Sequence, residues 1–385
     1  MRLELSAAAV VPLLIWVYLA LFRGGFWRVR TLPPARVEPQ VRVAVVVPAR
    51  DEVETIGRAV RSLLTQRFVG ELHVFLVDDG STDGTAVAAR AAAGALGAGE
   101  RLTVLTGAAL PPGWTGKLWA MSQGVAAAEA LHPDYLLFTD ADIEHAPDSV
   151  AALVSQAQTL GCDLVSVMVR LSCATWAERC LIPAFVFFFF KLYPPQWVAA
   201  PHARTAGAAG GCMLVRPAAL ARGGGLARIR GRIIDDCALA GLVKHSGGSL
   251  WLGLSATTRS LRVYGHFGEI GAMISRTAFD QLRHSVLLLA GALAGLLVTY
   301  GVPPLLLLTG NPLCMASGAG AWALMTACYL PLVRFYRVRS AYALALPAIA
   351  VFYAAATLHS AIRYARGRGG EWKGRAQDVR GPEAG

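Results

Sequence analysis

Three long apolar blocks near the C-terminus, residues 285–308, 313–333 and 341–362, set the strongest constraint on how this chain can fold. At 1.5 Å of rise per helical residue, each is long enough to cross the roughly 30 Å of hydrocarbon in a bilayer. A further apolar run, 5–22, stands near the N-terminus. Positive charge follows this run rather than dominating its front, and no small-residue cleavage pattern is present, so it is expected to be an uncleaved anchor. The segment 31–40, with three prolines, then reads as a linker. These blocks account for a composition that is 55% hydrophobic and only 16% charged, since the middle of the chain is ordinary for a globular protein.

The formal net charge of +11 is placed where it suits a membrane. Arg23, Arg28, Arg30 and Arg36 follow the first apolar run, and Arg334, Arg337, Arg339, Arg363, Arg366 and Arg368 flank the last two blocks. Such residues mark the cytosolic side and favour anionic headgroups. No nucleic-acid recognition motif accompanies the charge, and nucleic-acid binding is not expected. If all four runs cross, the basic loop 334–340 lies inside and the tail from Arg363 outside, against the positive-inside rule. A re-entrant first block, interrupted at Pro303 and Pro304, is the alternative. Seven cysteines, with no C-x-x-C pair and no zinc spacing, read as reduced thiols.

From residue 41 short β-branched runs alternate with alanine-rich helical stretches. Strands are predicted at 41–49, 72–80, 102–107 and 135–143, with helices at 54–66, 84–95 and 118–131. The alternation implies an α/β domain with a mainly parallel sheet covered on both faces. Ligands of such sheets bind beyond the carboxyl ends of the strands, and the polar motifs sit at those ends. The run LIPAFVFFFFKLY after Cys180 is too short to span and reads as an interfacial or deeply buried segment.

Five motifs carry chemistry. VVVPARDE (45–52) runs from a strand into polar residues, although a helix N-terminus explains Asp51 and Glu52 equally well. VDDGSTDGT (77–85) sets two carboxylates at a strand end. They either meet a base or ribose or merely form a turn with Asp83 as helix cap. FTDADI (138–143) would aim Asp140 and Asp142 the same way if the strand continues, because side chains alternate with period two. Two oxygen ligands on one side suit Mg²⁺ or Mn²⁺, completed by waters and substrate phosphates. In GWTGK (113–117), Lys117 at a helix start is either a phosphate contact or a solvated lysine. IIDDCALA (233–240) reads as a strand, two carboxylates and a helix. An acid there either takes a proton from an acceptor hydroxyl or caps the helix. Upstream, GAAGGCMLVRPAAL (207–220), with Gly211, is a glycine-rich turn into a strand, where backbone can approach a sugar.

This ordered set resembles the family 2 glycosyltransferases, whose catalytic domain has the GT-A fold, over roughly residues 41–245. MISRTAFDQLRHS (273–285) followed by the apolar blocks looks like the hopanoid-biosynthesis-associated members of that family, which are bacterial membrane proteins. The resemblance implies that Pro48, Ala49, Arg50 and Glu52 line a nucleotide pocket, with Asp51 where asparagine is common, and that Asp79 contacts the base. Asp140 would approach the ribose or the metal and Asp142 would hold the metal. Asp236, beside Asp235, would be the general base. Polymer synthases of the family carry Q-x-x-R-W; here M-I-S-R-T (273–277) keeps only Arg276, which argues against processive synthesis.

The expected protein is therefore a GT-A type nucleotide-sugar-binding domain (41–284) between an N-terminal anchor and linker (1–40) and C-terminal membrane segments with a basic tail (285–385). It is expected in a bacterial inner membrane, multi-pass, with its catalytic domain cytosolic. The expected reaction is inverting, metal-dependent transfer of a sugar from a nucleotide-diphosphate donor to a hopanoid or other hydroxylated lipid. A polyprenyl-phosphate acceptor is the enzymatic alternative, and a transport or assembly component that merely binds nucleotide is the non-enzymatic one.

Overall fold

A computed structural model describes residues 9–35 and 40–367, together with the backbone of Glu371–Trp372 and Arg375–Ala376. The start of the run 5–22, Arg36, Arg368 and most of the basic tail lie outside the described residues. The chain forms two compact units. One comprises residues 30–172, 197–262 and 370–385. The other gathers 1–29, 173–196 and 263–369, and so draws in two segments from within the stretch 41–284 that the sequence assigned to the central domain.

The first unit is built on an eight-stranded sheet: β1 Arg42–Ala49, β2 Glu71–Asp78, β3 Leu102–Thr106, β4 Tyr135–Thr139, β5 Ile143–Glu144, β6 Leu164–Arg170, β7 Cys212–Val215 and β8 Leu250–Ser260. Their order across the sheet is β3-β2-β1-β4-β7-β6-β8-β5. β1 is buried on both faces from Val43 onward, as a central parallel strand must be, and pairs in parallel with β2 and β4. The chain builds outward from β1 to β3 and then returns to place β4 on the other side of β1. That reversal opens a crevice beyond the carboxyl ends of β1 and β4.

Proline is tolerated at position 48 of this central strand because the pairing of β1 with β4 ends at Val46 and Phe138. β7 runs antiparallel to both β4 and β6, so its first residue, Cys212, lies opposite the last residue of β4, Thr139. The glycine-rich turn before β7 therefore reaches the same edge as the ends of β1, β2 and β4. β8 is parallel to β6, and its end pairs with β5 through Ile143 and Ser260. This delivers the residues after β8 to that edge too.

Two sequence expectations change. β4 stops at Thr139, and residues 140–142 form a turn in which the Ile143 N–H donates to the Asp140 carbonyl (3.2 Å). Asp140 and Asp142 are thus placed by a turn and not by strand alternation. Ile233 and Ile234 form a bend before the helix Asp235–His245 instead of a strand.

In the other unit, three helices among the described residues are long and apolar enough to cross a membrane: Val286–Leu306, Pro312–Phe335 and Ser340–Ala365. The N-terminal helix Val11–Phe22 is shorter. Pro303 has no N–H to give the carbonyl of Thr299, four residues earlier, and the helix widens into a π turn at Leu297–Gly301. The Trp16 indole N–H fills the gap, donating to the Thr299 carbonyl at 2.8 Å. Helix Trp176–Leu192 holds the aromatic run of the sequence in the core of this unit: Phe187 packs on Phe26 and Tyr329, and Phe188 on Tyr300 and Tyr353. Its first turn carries Glu178, a fully buried carboxylate that accepts N–H groups from Ala174 (2.8 Å), Thr175 (3.0 Å) and Tyr264 (2.7 Å).

The helix Gly116–Ala128 approaches the sheet through Gly124, where an added Cβ would stand 2.4 Å from Val46 Cγ1. Gly124→Ala is expected to destabilise the protein by about 1–3 kcal/mol. The Gly124→Ala, Val46→Ala double variant should lose less than the sum of the two single changes in the midpoint of chemical denaturation.

Candidate active site

The carboxyl edge of the sheet collects the polar residues of all five motifs. After β1 the chain turns sharply: Asp51 adopts a left-handed φ of +50°, a conformation open to aspartate and asparagine and to few other side chains. Its Oδ1 accepts the Thr82 N–H (2.9 Å), its own N–H donates to Ser81 Oγ (3.0 Å), and the Val53 N–H donates to Asp83 Oδ2 (2.9 Å). Asp83 and Asp51 thus stitch the two loops together. The adjacent aspartates 78 and 79 divide their work. Asp78 Oδ1 accepts the Ser81 N–H (2.9 Å) and shapes the turn, whereas Asp79 is buried at 3% exposure with the Arg50 guanidinium 3.6 Å from its Oδ2. Arg50 also donates to the Asp79 carbonyl.

Lys117 is neither solvated nor isolated. Thr115 caps the helix Gly116–Ala128, and the Lys117 side chain, 17% exposed, sets its Nζ 2.9 Å from Asp140 Oδ1 and 3.1 Å from Asp235 Oδ2. Burial works against the ammonium, but Asp140 and Asp235 outweigh it and hold its pKa well above that of an ordinary lysine. Asp236 turns toward the glycine-rich segment: its Oδ2 accepts the Gly210 N–H (2.8 Å) and its Oδ1 the Cys237 N–H (2.7 Å). A Cβ at Gly210 would lie 3.2 Å from Asp236 Oδ2 and 3.3 Å from Lys117 Nζ, so glycine permits this approach. Gly211 instead backs onto Val169 and Ile143, and its carbonyl accepts the Thr139 hydroxyl at 2.8 Å.

Arg262, just past β8, escaped the sequence reading. Its guanidinium lies 3.6 Å from Asp142 Oδ2 and 3.6 Å from Glu52 Oε1. The strand order that brings it beside Asp142 is set by long-range pairing, and no local motif marks it. Arg276, by contrast, is exposed on the helix Phe267–Gln281 of the other unit.

Six carboxylates (Glu52, Asp79, Asp140, Asp142, Asp235, Asp236) thus share one edge with three cations, Arg50, Lys117 and Arg262. The imbalance appears in the proton affinities. Burial, then the charge of Asp140, pushes Asp142 up to about 6 against the pull of Arg262. Burial, then the charge of Asp235, pushes Asp236 up to about 6 against the pull of Lys117. Among the described residues no three carboxylate, imidazole or thiol groups form a complete metal cage. Asp140 and Asp142 nevertheless supply two hard oxygen ligands in a locally over-negative environment. That donor set fits a divalent cation which takes its remaining ligands from water and a substrate's phosphates.

Residues 44–221, a little under half of the chain, match the family model described as glycosyl transferase family 2. No curated protein matches the chain. Among solved structures, it is similar to a mannosyltransferase from Pyrobaculum calidifontis in complex with GDP-Man and Mn²⁺, at 19% identity and a TM-score of 0.53, over 92% of this chain and 98% of that one. A glucosyl-3-phosphoglycerate synthase from Mycobacterium tuberculosis, in complex with Mn²⁺, UDP and glucosyl-3-phosphoglycerate, matches at 22% identity over 63% of this chain and 79% of that one, with a TM-score of 0.40. The fold is GT-A-like, with a mostly parallel sheet.

The raised carboxylates have a cost in stability with a defined sign. Asp142 and Asp236 hold their protons to about pH 6 when folded and only to about pH 3.8 in the unfolded chain, so stability falls as pH rises through that window. Asp142→Asn and Asp236→Asn are each expected to stabilise the protein by about 1–3 kcal/mol at neutral pH. The gain should vanish below about pH 4 when thermal unfolding is followed against pH.

Proposed function

We propose that this chain is an inverting glycosyltransferase that moves a sugar from a nucleotide-diphosphate donor to a hydroxylated membrane lipid. The observation that carries the reading is the joined array of Asp140, Lys117, Asp235 and Asp236 at the strand-order reversal of a family 2 glycosyltransferase domain. Support for a nucleotide-sugar comes from the fold shared with a mannosyltransferase in complex with GDP-Man and Mn²⁺.

In this reading Pro48, Ala49, Arg50, Glu52 and Asp79 receive the nucleoside, and Asp79 meets the base. Asp140 and Asp142 would hold Mg²⁺ or Mn²⁺, which supplies charge neutralisation to the departing diphosphate. Lys117, with the Gly210 backbone beside it, faces the sugar-diphosphate end, and Gly211 packs against Val169 and Ile143 instead. Asp236 accepts the proton of the acceptor hydroxyl; the freed oxygen pair forms the bond to the anomeric carbon as the carbon–oxygen bond to the diphosphate breaks from the opposite face. One inversion results. An apparent pKa near 6 leaves Asp236 ionised at neutral pH, yet more basic than an exposed aspartate, which suits a general base. Lys117 and Asp235 tune that basicity from opposite sides.

The acceptor is assigned to the membrane because three helices long and apolar enough to cross it share the chain. With the glycosyltransferase domain in the cytosol, three crossings leave the uncharged turn at Thr309, Gly310 and Asn311 outside and Arg334, Arg337 and Arg339 inside, in accord with the positive-inside rule, but they put the basic tail from Arg363 outside, against it. A bacterial inner membrane and a hopanoid-type acceptor follow from the resemblance of residues 273–285 and the blocks after them.

Membranes carrying the protein, incubated with a panel of labelled nucleotide sugars, should yield a labelled lipid, and chelation should abolish it. No labelled lipid from any donor would overturn the proposal. Asp236→Asn should lower turnover by about 10²–10⁴-fold with the donor KM little changed. Full turnover in that variant would remove Asp236 as base and point to a phosphate acceptor, which is already ionised.

A further inference from the structure

A second half-buried lysine lies outside this machinery. Lys191 ends the helix Trp176–Leu192, and its Nζ lies 2.8 Å from the Tyr300 hydroxyl. Aromatic faces enclose it: the Tyr300 ring centroid is 4.7 Å away and that of Phe188 5.3 Å. Among the described residues no carboxylate pairs with it. A second cation stands alongside, since the Arg23 guanidinium donates to the Lys191 carbonyl (3.1 Å). Burial, then the charge of Arg23, brings the Lys191 pKa down to about 8, so the ammonium still carries its charge at neutral pH.

This arrangement is costly as it stands. A desolvated ammonium gains little from one phenol, and a charge set among apolar helices marks a functional position more often than a structural one. Tyr300 is itself held by the π turn Leu297–Gly301, an irregularity favoured at functional sites, and is braced edge-on by Trp16 at 5.5 Å. The surroundings suit the level of the headgroups. Arg28 lies over the Trp27 ring, and Tyr18, Leu21 and Phe22 are exposed beside Arg23, the pairing of cations and amphipathic aromatics that marks a membrane interface.

We propose that Lys191 and Tyr300, with Arg23 alongside, form a binding site for the phosphate of an anionic phospholipid headgroup. The phosphate oxygens accept from the Lys191 ammonium, which the fully buried Tyr300 hydroxyl holds in place, and the phosphate supplies the negative charge that the aromatic enclosure lacks. The site is separate from the sugar-transfer chemistry and does not depend on it.

The test uses the full-length protein in detergent, incubated with phosphatidylglycerol or phosphatidylcholine and analysed by native mass spectrometry. The wild type should retain phosphatidylglycerol in preference to phosphatidylcholine. Lys191→Met should weaken phosphatidylglycerol retention about tenfold or more, Tyr300→Phe should weaken it less, and Lys191→Arg should preserve it. Tyr300→Phe keeps the lysine and the ring, so it reports on the site even if Lys191→Met misfolds. Equal retention of the two lipids, or undiminished phosphatidylglycerol on both Lys191→Met and Tyr300→Phe, would overturn the proposal. Displacement of the lipid by equimolar inorganic phosphate would overturn the lipid assignment and make free phosphate the ligand.

Discussion

The bridge that Lys117 makes between Asp140 and Asp235 is the constraint on which the candidate site depends. One ammonium joins the turn after β4 to the start of the helix Asp235–His245, segments almost a hundred residues apart. Without it, the edge of the sheet would gather carboxylates with only Arg50 and Arg262 to offset them. The two remaining cations sit on the same edge, Arg50 against Asp79 and Arg262 against both Asp142 and Glu52. The array is therefore held together by alternating charge, but it stays net negative. That residual charge is what a divalent cation or a proton would neutralise.

Much of this was legible because the local signals agree with the global fold. The β-branched runs near 42–49, 71–78 and 102–106 and the helices between them fall within a few residues of their predicted bounds, since each strand carries a continuous apolar run. The acidic motifs fall at strand ends for the same reason. What the sequence cannot encode locally is which neighbour each strand takes. Arg262 joins the site because β8 pairs with β5 and β6, and Gly210 faces the carboxylates because β7 runs against β4. Between adjacent aspartates, the choice of Asp79 over Asp78 is made by the turn that Ser81 closes on Asp78. The turn at 140–142 likewise replaces the strand alternation by which the sequence accounted for the aspartate pair.

The apolar unit shows a different limit. Hydropathy finds its long helices, and nothing in hydropathy predicts that the N-terminal helix will repair one of them. Pro303 leaves the Thr299 carbonyl without its helical donor, and the indole of Trp16, 283 residues away, supplies the missing hydrogen bond. Small residues allow the contact: Ser317 donates to the Ala9 carbonyl at 2.7 Å, and a Cβ at Gly320 would meet Leu13 at 3.2 Å. The aromatic run at 186–190, ambiguous between an interfacial strip and a core helix, is resolved by its partners. Phe187 touches Phe26 and Tyr329, both from other helices or turns of the same unit.

Lys117 and Lys191 carry the same side chain into enclosed positions with opposite consequences. Lys117 stands between two carboxylates, and their attraction exceeds its loss of hydration, so its charge is fixed and serves as scaffold. Lys191 meets the phenol of Tyr300, the ring of Phe188 and a neighbouring arginine, and its affinity for the proton falls. A fixed charge is matched to groups the chain itself provides. A charge whose surroundings disfavour it is matched to something the chain does not provide, and in an aromatic enclosure beside apolar helices the anion most available is the headgroup phosphate of a lipid.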